Sequence, residues 1–140
     1  MAYRDIETNM SDAQAVTVTA DSTNIIDFQD AARDMGPGEP LYLVVQVGET
    51  DFAGGTSIAF DFETATDLAF TSPVDKIVIA AIATANLTAG TEVIKVRLPH
   101  GLLRFVRMEY TVVGTFTAGA INAYISKDVD SWKAFPDNTD

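Results

Sequence analysis

Alternation of apolar and polar residues constrains the fold of this chain more than any other feature. Thr, Val and Ile together supply 39 of the 140 residues, and these types favour extended backbone. In segment 57–63, Ile58, Phe60 and Phe62 point to one side while Asp61 and Glu63 point to the other. That pattern is typical of a strand with one buried and one solvated face. Because no segment keeps a period of 3.6 residues, the sequence predicts an all-β protein.

Short apolar or alternating runs predict eight or nine strands, separated by turns rich in Gly and Pro. The predicted strands lie at about 16–19, 24–28, 41–47, 57–63, 67–71, 76–83, 92–98, 103–113 and 119–126. Ile77–Ala83 is apolar on both faces, so we expect a central strand that is covered on both sides. Only residues 30–35 and 128–135 could form helical turns. Strands of this number and spacing predict an antiparallel β-sandwich or barrel.

The two ends of the chain differ from its middle. Residues 1–12 are polar without alternation and predict an extended N-terminal arm, whereas residues 13–126 carry the strands. Residues 127–140 predict a short C-terminal tail that holds Trp132 and Phe135 among acidic residues. A length of 140 residues fits one such domain.

Composition excludes several classes of protein. The formal net charge of −11 argues against a nucleic-acid-binding surface. The longest apolar run, Ile77–Ala83, is far shorter than the ~20 residues that span a bilayer. No cysteine is present, so there is no disulfide framework and no thiolate chemistry. The start lacks the layout of a secretory signal, so we expect folding in the compartment of synthesis.

No residue pattern predicts catalysis, a cofactor or a metal. His100 lies in a turn without a nearby nucleophile, so we expect an ordinary loop residue. Asp61 and Glu63 resemble paired glycosidase acids, but a solvated strand face explains them better. Asp128 and Asp130 lack the further ligands of a calcium loop. We therefore expect a protein that is not an enzyme.

Basic and aromatic residues are the candidates for protein contacts. Lys95, Arg97, Arg104 and Arg107 flank the turn at 99–101 and could pair with acids of the first half, within the chain or on a neighbouring subunit. Residues 1–75 hold fourteen acidic and two basic residues, so such acids are abundant there. Exposed aromatics on a loop or tail can dock on another chain, or they can fold back onto their own domain. The candidates for contacts with other protein subunits are Phe116, Trp132, Phe135, Arg97 and Arg104.

Several blocks of the chain resemble one known family. They are Ala13–Thr17 followed by Ser22–Asp27, then Ala32–Tyr42, and then Tyr110–Ala120. In this order and spacing they are similar to segments of the capsid cement proteins of tailed bacteriophages. The likeness runs from about Ala13 to Ser126, whereas the arm and the tail are longer than the family pattern.

The resemblance implies a jelly roll of two four-stranded antiparallel sheets. It further implies a homotrimer that sits on the outer capsid surface of the virion and clamps neighbouring subunits of the major capsid protein. Such a protein is made and assembled in the cytoplasm of the bacterial host. Its partners are the major capsid protein and itself, with no nucleic acid, no membrane and no cofactor.

Two other functions remain open at this point. One is a carbohydrate-binding or adhesive β-sandwich of a phage fibre or cell surface, which would display several aromatics on one exposed face. The thirteen aromatics fall mostly at alternating core positions or in loops, which counts against that reading. The other is a β-sandwich hydrolase with a carboxylate pair that the sequence does not reveal.

Overall fold

The computed structural model describes residues 8–28, 41–99 and 101–126 of the chain. These residues form two antiparallel sheets, which confirms the prediction of an all-β sandwich. A 3-10 turn, Thr84–Asn86, follows the sixth strand. The strands are β1 (Asn9–Ala15), β2 (Ala20–Asp21), β3 (Ile26–Asp27), β4 (Tyr42–Val47), β5 (Ser57–Ala65), β6 (Val74–Ala83), β7 (Glu92–Arg97), β8 (Phe105–Val113) and β9 (Ala120–Ser126).

The order of the strands is that of a jelly roll. The first sheet has the order β1-β9-β4-β7, and the second has β2-β8-β5-β6, with β3 also paired to β8. Early strands pair with late ones, β1 with β9, β2 and β3 with β8, β4 with β7, and β5 with β6. The chain is thus a long antiparallel hairpin rolled into two sheets. Because β2 and β3 lie along the same side of β8, they occupy one edge position between them.

Inward-facing apolar residues of both sheets form the core. Phe60 and Phe62 of β5 and Leu43 and Val45 of β4 are fully buried, which confirms the alternation predicted for these two strands. The ring of Phe60 meets that of Tyr110 edge to face, with centroids 5.8 Å apart. Burial of each such side chain contributes about 1.5–3 kcal/mol, so this layer supplies most of the driving force for folding.

Hydrogen bonds close the sandwich along one side, where β1 lies over β2, β3 and β8. The hydroxyl groups of Ser11 and Tyr110 lie 2.7 Å apart and join the sheets. The amide of Asn24 donates to the carbonyl oxygen of Met10 at 3.0 Å. Gln14 Nε2 donates to the carbonyl oxygen of Asp21 at 2.8 Å. We call this edge of the sandwich the closed side.

The first strand begins earlier than its sequence predicts. β1 covers residues 9–15, whereas the predicted strand at 16–19 is a bend. The pairing of β1 with β9 shifts register twice, and Ala13 has a φ of 47°, so β1 lacks regular alternation. Residues 9–12 of the predicted arm therefore lie in a sheet. Residues 1–7, the tail at 127–140, and the helical turns predicted at 30–35 and 128–135 lie outside the described residues.

The strand predicted at 67–71 is wrong, because this segment is a turn. The carboxylate of Asp67 accepts hydrogen bonds from the amide of Thr71 at 3.2 Å and from its hydroxyl at 2.7 Å. The amide of Phe70 donates to the carbonyl oxygen of Asp67 at 3.1 Å. The aspartate thus ties the backbone into a local turn, for which its short acceptor side chain is suited.

The prediction of a central strand at Ile77–Ala83 is also wrong. These residues lie in β6, which is the edge strand of the second sheet. Val78 faces outward and is 64% exposed. The apolar outer face of β6 is therefore not covered by any described part of the chain.

Candidate interaction surfaces

Carboxylates converge on the outer face of the second sheet because the strand register places them side by side. Asp61 of β5 lies opposite Glu109 of β8, and Asp21 of β2 lies opposite the same glutamate. Glu63 of β5 pairs with Asp75 of the edge strand β6. These five residues face outward because Phe60 and Phe62 between them face the core. We call the surface formed by Asp21, Asp61, Glu63, Asp75 and Glu109 the acidic face.

Arg107 is the cation at the centre of the acidic face. Its Nε donates to Glu63 Oε2 at 2.9 Å, and its Nη1 donates to Asp21 Oδ2 at 2.9 Å. The guanidinium also lies 4.1 Å from the centroid of the Phe70 ring, a cation–π contact. The side chains of Arg107 and Glu63 are only 16% and 5% exposed, so this pair is largely desolvated. Removal of the arginine would leave a buried carboxylate without its counter-ion.

The crowding of carboxyl groups raises two pKa values. A hydrogen bond to Glu63, burial and the charges of Glu63 and Asp21 raise the pKa of Glu109 to about 7, although Arg107 opposes this. Burial first, and then the charges of Asp75 and Glu63, raise the pKa of Asp61. Asp61 Oδ1 is buried without a hydrogen-bond partner. The crowding therefore favours the protonated carboxyl group of Glu109, which forms a hydrogen bond with Glu63.

Only some of the candidate catalytic and metal-binding residues lie within the described segments. Within residues 8–28, 41–99 and 101–126, no group of three or more His, Asp or Glu residues is arranged to hold a metal ion. In the same residues, no helix is long and apolar enough to cross a membrane. His100, Asp128 and Asp130 lie outside them. Asp61 and Glu63 share one strand face as predicted, but Glu63 is buried against Arg107 rather than solvated.

The predicted basic residues pair mainly within the chain. Arg104 donates from Nε and Nη2 to the carboxylate of Asp27 at 2.8 and 3.0 Å, and Arg107 is paired as described above. Pairing with acids of the first half within the chain is thus confirmed for these two arginines. Lys95 instead pairs with Glu92 at 2.6 Å. Arg97 is exposed at the end of β7 and makes no ion pair with a described residue.

Phe116 is buried in the core and is not raised on its loop. Its ring meets Phe52 edge to face, with centroids 5.0 Å apart, and its amide donates to the carbonyl oxygen of Thr17 at 2.9 Å. A Cβ atom on Gly55 would lie only 2.7 Å from the ring, so glycine is required there. The aromatic thus folds back onto its own domain, and its ring offers no surface for a partner. Trp132 and Phe135 lie outside the described residues.

At the edge formed by β6 and β7, the described residues do not fully cover the core. These strands end their sheets opposite the closed side, so both sheet edges lie on the same side of the sandwich. Val96 of β7 pairs with the core residue Leu43, yet Val96 is 41% exposed. Other inward-facing residues here are only half-buried. We call this edge the open side, lined by Ile77, Ile79, Ile82, Val93 and Val96.

The sequence alone predicted neither the acidic face nor the open side. It paired Asp61 with Glu63 along one strand but did not bring Glu109, Arg107 or Asp21 beside them. The alternation of Arg107 and Glu109 along β8 shows that they share a face. The neighbours of that face depend on strand order and register, which no local pattern encodes.

The range of the chain that matches a protein family has nearly the same boundaries as the sandwich. The model of the Bbp16 family matches residues 10–125 of the chain. The chain belongs to the Bbp16 family. The Bbp16 match begins at the second residue of β1 and ends one residue before the end of β9, so it includes both sheets. No curated protein matches the chain.

Proposed function

We propose that this protein is a non-enzymatic capsid cement, or decoration, protein of a tailed bacteriophage. It binds the outer surface of the capsid as a trimer and clamps neighbouring subunits of the major capsid protein. The observation that carries the proposal is the ordered resemblance of its blocks to capsid cement proteins, together with the jelly-roll strand order.

The resembling blocks with described residues hold the sandwich together. In Ser22–Asp27, the hydroxyl of Ser22 accepts a hydrogen bond from the amide of Met108 at 3.1 Å and bridges the gap between β2 and β3. Tyr110–Ala120 supplies the buried rings of Tyr110 and Phe116. Of Ala32–Tyr42, only the last two residues are described. The blocks therefore support the shared fold, and capsid binding is inferred through the family that they resemble.

A trimer can stabilise a shell by binding alone. Packaged DNA presses outward, so the junctions between capsid subunits are the points at which the shell separates. A trimer bound across a junction must lose its own contacts before the subunits move apart. Because its three copies are linked, binding of the second and third becomes effectively intramolecular, which raises avidity. Binding to the closed shell and not to its parts stabilises the shell by mass action.

Two observations bear on the carbohydrate-binding alternative. All ten aromatic residues within 8–28, 41–99 and 101–126 are buried or half-buried, which leaves no exposed platform of rings in these segments. The outer face of the second sheet carries carboxylates, Arg107 and small side chains, and the Phe70 and Phe105 rings beside them are buried. Neither observation favours a sugar site, so we propose the capsid function only.

Co-sedimentation with capsids tests the proposal. Purified protein is mixed with matching capsids that lack it, and with the same capsids already carrying it as a control. We expect saturable pelleting on the bare capsids only, at a copy number divisible by three, and greater resistance of the loaded particles to heat. A folded protein that stays in the supernatant would overturn the proposal.

Salt dependence of the same pelleting identifies the face that docks. If the acidic face meets a basic capsid surface, affinity should fall steeply between 50 and 500 mM salt because direct charge pairs are screened. If the acidic face points to solvent, the affinity should change little. The variants Asp75→Asn and Glu49→Gln each remove one negative charge, the first from the acidic face and the second from an exposed turn. If only Asp75→Asn changes the affinity for capsids, the effect comes from a local contact and not from net charge.

A further inference from the structure

The outer faces of the two sheets differ in what covers them. On the second sheet, the turn that carries Phe70 lies against Ala65 and Phe105, and these three residues form a small apolar cluster. Val78, farther along the same face, is 64% exposed. A large apolar side chain on this face is thus buried under the turn and exposed away from it.

On the first sheet, outward-facing residues are buried without such a turn. Val44 of β4 and Tyr124 of β9 are register partners, and both are only 2% exposed. They form an apolar cluster apart from the main core, against which Tyr42 packs. Ser126, the next outward position on β9, is also buried. We call the surface formed by Tyr42, Val44, Tyr124 and Ser126 the outer patch.

The burial of the outer patch requires a covering layer. The second sheet lies on the opposite side of β4 and β9, against residues such as Leu43 and Ile125. Neighbouring strands of the same sheet shield the flanks of an outward-facing ring but not its outer side. The described residues supply no strand over this face. The outer patch is therefore a docking surface whose occupant lies outside the described residues.

The end of β9 brings the following residues of the chain to this patch. Ser126 is the last residue of β9 and lies opposite Tyr42, the first residue of β4. The tail, residues 127–140, begins there, and Trp132 is six residues beyond Ser126. Six extended residues reach about 20 Å, whereas Tyr124 lies about 7 Å from Ser126 along the strand. The tail can therefore turn back and place the indole ring over Tyr124.

The side chains of the tail suit an apolar patch better than those of the other segments outside the described residues. Residues 127–140 include Trp132 and Phe135, whereas residues 29–40 include no aromatic residue and residues 1–7 include one tyrosine. Trp and Phe each bury about 150–250 Å² and dominate the energetics of such contacts. Among these segments, the tail thus has the largest apolar side chains.

Charge distinguishes the two outer faces as sites for the tail. The tail holds four aspartates and two lysines, so its net charge is negative. The acidic face on the second sheet sets five carboxylates against Arg107 and repels it. On β4, β7 and β9, the outward-facing charged residues are Lys95, Arg97 and Glu92, with a net positive charge. The first sheet is therefore the more favourable site.

We propose that the outer patch is the docking site of the tail, with the indole ring of Trp132 packed over Val44 and Tyr124 of the same chain. Trp132 is then part of the domain and not an exposed contact for another subunit. The outer face of the first sheet is occupied by the chain itself and is not offered to a partner. This contact is measured on the protein alone, so it does not depend on the proposed function.

Tryptophan fluorescence tests the contact on the full chain, because Trp132 is the only tryptophan. We expect its native emission to be blue-shifted from that in urea, and its quenching by acrylamide and iodide to be several times weaker. Tyr124→Ala should shift the emission to the red and raise the quenching. Phe70→Ala, which removes a buried ring from the outer face of the other sheet, is the matched control and should leave both unchanged. Thermal melting shows whether each variant is folded.

A double-mutant cycle measures the same contact without relying on the tyrosine variant. If Trp132 packs on Val44, Trp132→Ala and Val44→Ala combined should lower the urea midpoint by less than the sum of the single changes. Additive changes would overturn the proposal, as would native emission and quenching equal to those in urea. A blue shift that disappears on dilution would show that the tail docks on a second copy, which would overturn the contact within one chain.

Discussion

Ser11 and Tyr110 are separated by 99 residues in sequence, yet their hydroxyl oxygens lie 2.7 Å apart inside the closed side of the sandwich. Ser11 Oγ also donates to Gln14 Oε1 at 2.7 Å, so the tyrosine is the donor to the serine. Burial raises the pKa of Tyr110, with a smaller opposing effect of this hydrogen bond. The phenol is therefore neutral and needs an acceptor.

This relationship predicts an order of stabilities. Tyr110→Phe removes one hydrogen bond and should lower the free energy of unfolding by about 1 kcal/mol. Ser11→Ala leaves the buried phenol without an acceptor and should lower it by about 2 kcal/mol. Urea denaturation of both single variants and the double variant measures these values. The idea fails if Tyr110→Phe is the more destabilising change, or if the double variant is much less stable than Ser11→Ala.

Two arginines in similar cross-strand ion pairs should differ in their effect on stability. Arg107→Met leaves Glu63 buried without its counter-ion, so the free energy of unfolding should fall by about 3 kcal/mol. Arg104→Met breaks a pair whose side chains are 42% and 37% exposed, which is worth about 0–1 kcal/mol. Denaturant unfolding of both variants at pH 7 compares the two losses. Equal losses would contradict the burial argument.

Stability should fall as pH rises toward neutrality because of Glu109. Its pKa is raised from 4.5 to about 7 on folding, so the folded state holds a proton that the unfolded state has released. The stabilising contribution is complete below about pH 4.5 and is lost as pH rises through about 7. The raised pKa of Asp61 acts in the same direction. Glu109→Gln should therefore gain stability relative to wild type at pH 8 but not at pH 4.5.

Thermal melting of wild type and Glu109→Gln across pH 4.5–8 tests this linkage. The curves should be close at the acid end, separate as the pH rises from about 4.5 to about 7, and stay apart above that. Glu49→Gln, at an exposed turn position, is the control for loss of one negative charge. Parallel curves for Glu109→Gln and wild type would contradict the raised pKa of Glu109.

Phe116→Ala should act on the fold and not on a surface. Loss of its contact with Phe52 leaves a cavity and should lower the free energy of unfolding by about 3–4 kcal/mol. Val113→Ala, at the end of β8 next to this loop, is the matched control, since Val113 is exposed and should change stability little. A Phe116→Ala variant that melts like wild type would show that the ring is not part of the core.

Local pattern was sufficient where a strand has one buried and one exposed face. In β4 and β5, the side chains of Leu43, Val45, Phe60 and Phe62 enter the core as alternation predicts. Local pattern did not predict β1, because the residues of this strand do not alternate regularly. Its pairing with β9 shifts register twice, so regular alternation is not needed there. These shifts depend on a partner more than 100 residues away in sequence.

Sequence also could not distinguish two ways of covering an apolar strand. The pattern of Ile77–Ala83 indicates burial on both faces, but it does not state whether the cover belongs to the same chain. The structure leaves β6 at the edge of its sheet, where no described strand pairs with its outer side. In the same way, a loop rich in small residues around Phe116 could present the ring or fold it inward. Its contact with Phe52 depends on tertiary packing.

The rolled-hairpin topology has a consequence for how the protein is made. β9 lies between β1 and β4, so the first sheet stays incomplete until residue 126 has left the ribosome. Pairing strands so distant in sequence makes folding slow, because much chain entropy is lost before the contacts form. At a given free energy of unfolding, slow folding also means slow unfolding, because the ratio of the two rates is the equilibrium constant. Such a fold therefore forms late in synthesis and unfolds slowly. The protein is then kinetically stable whatever it binds.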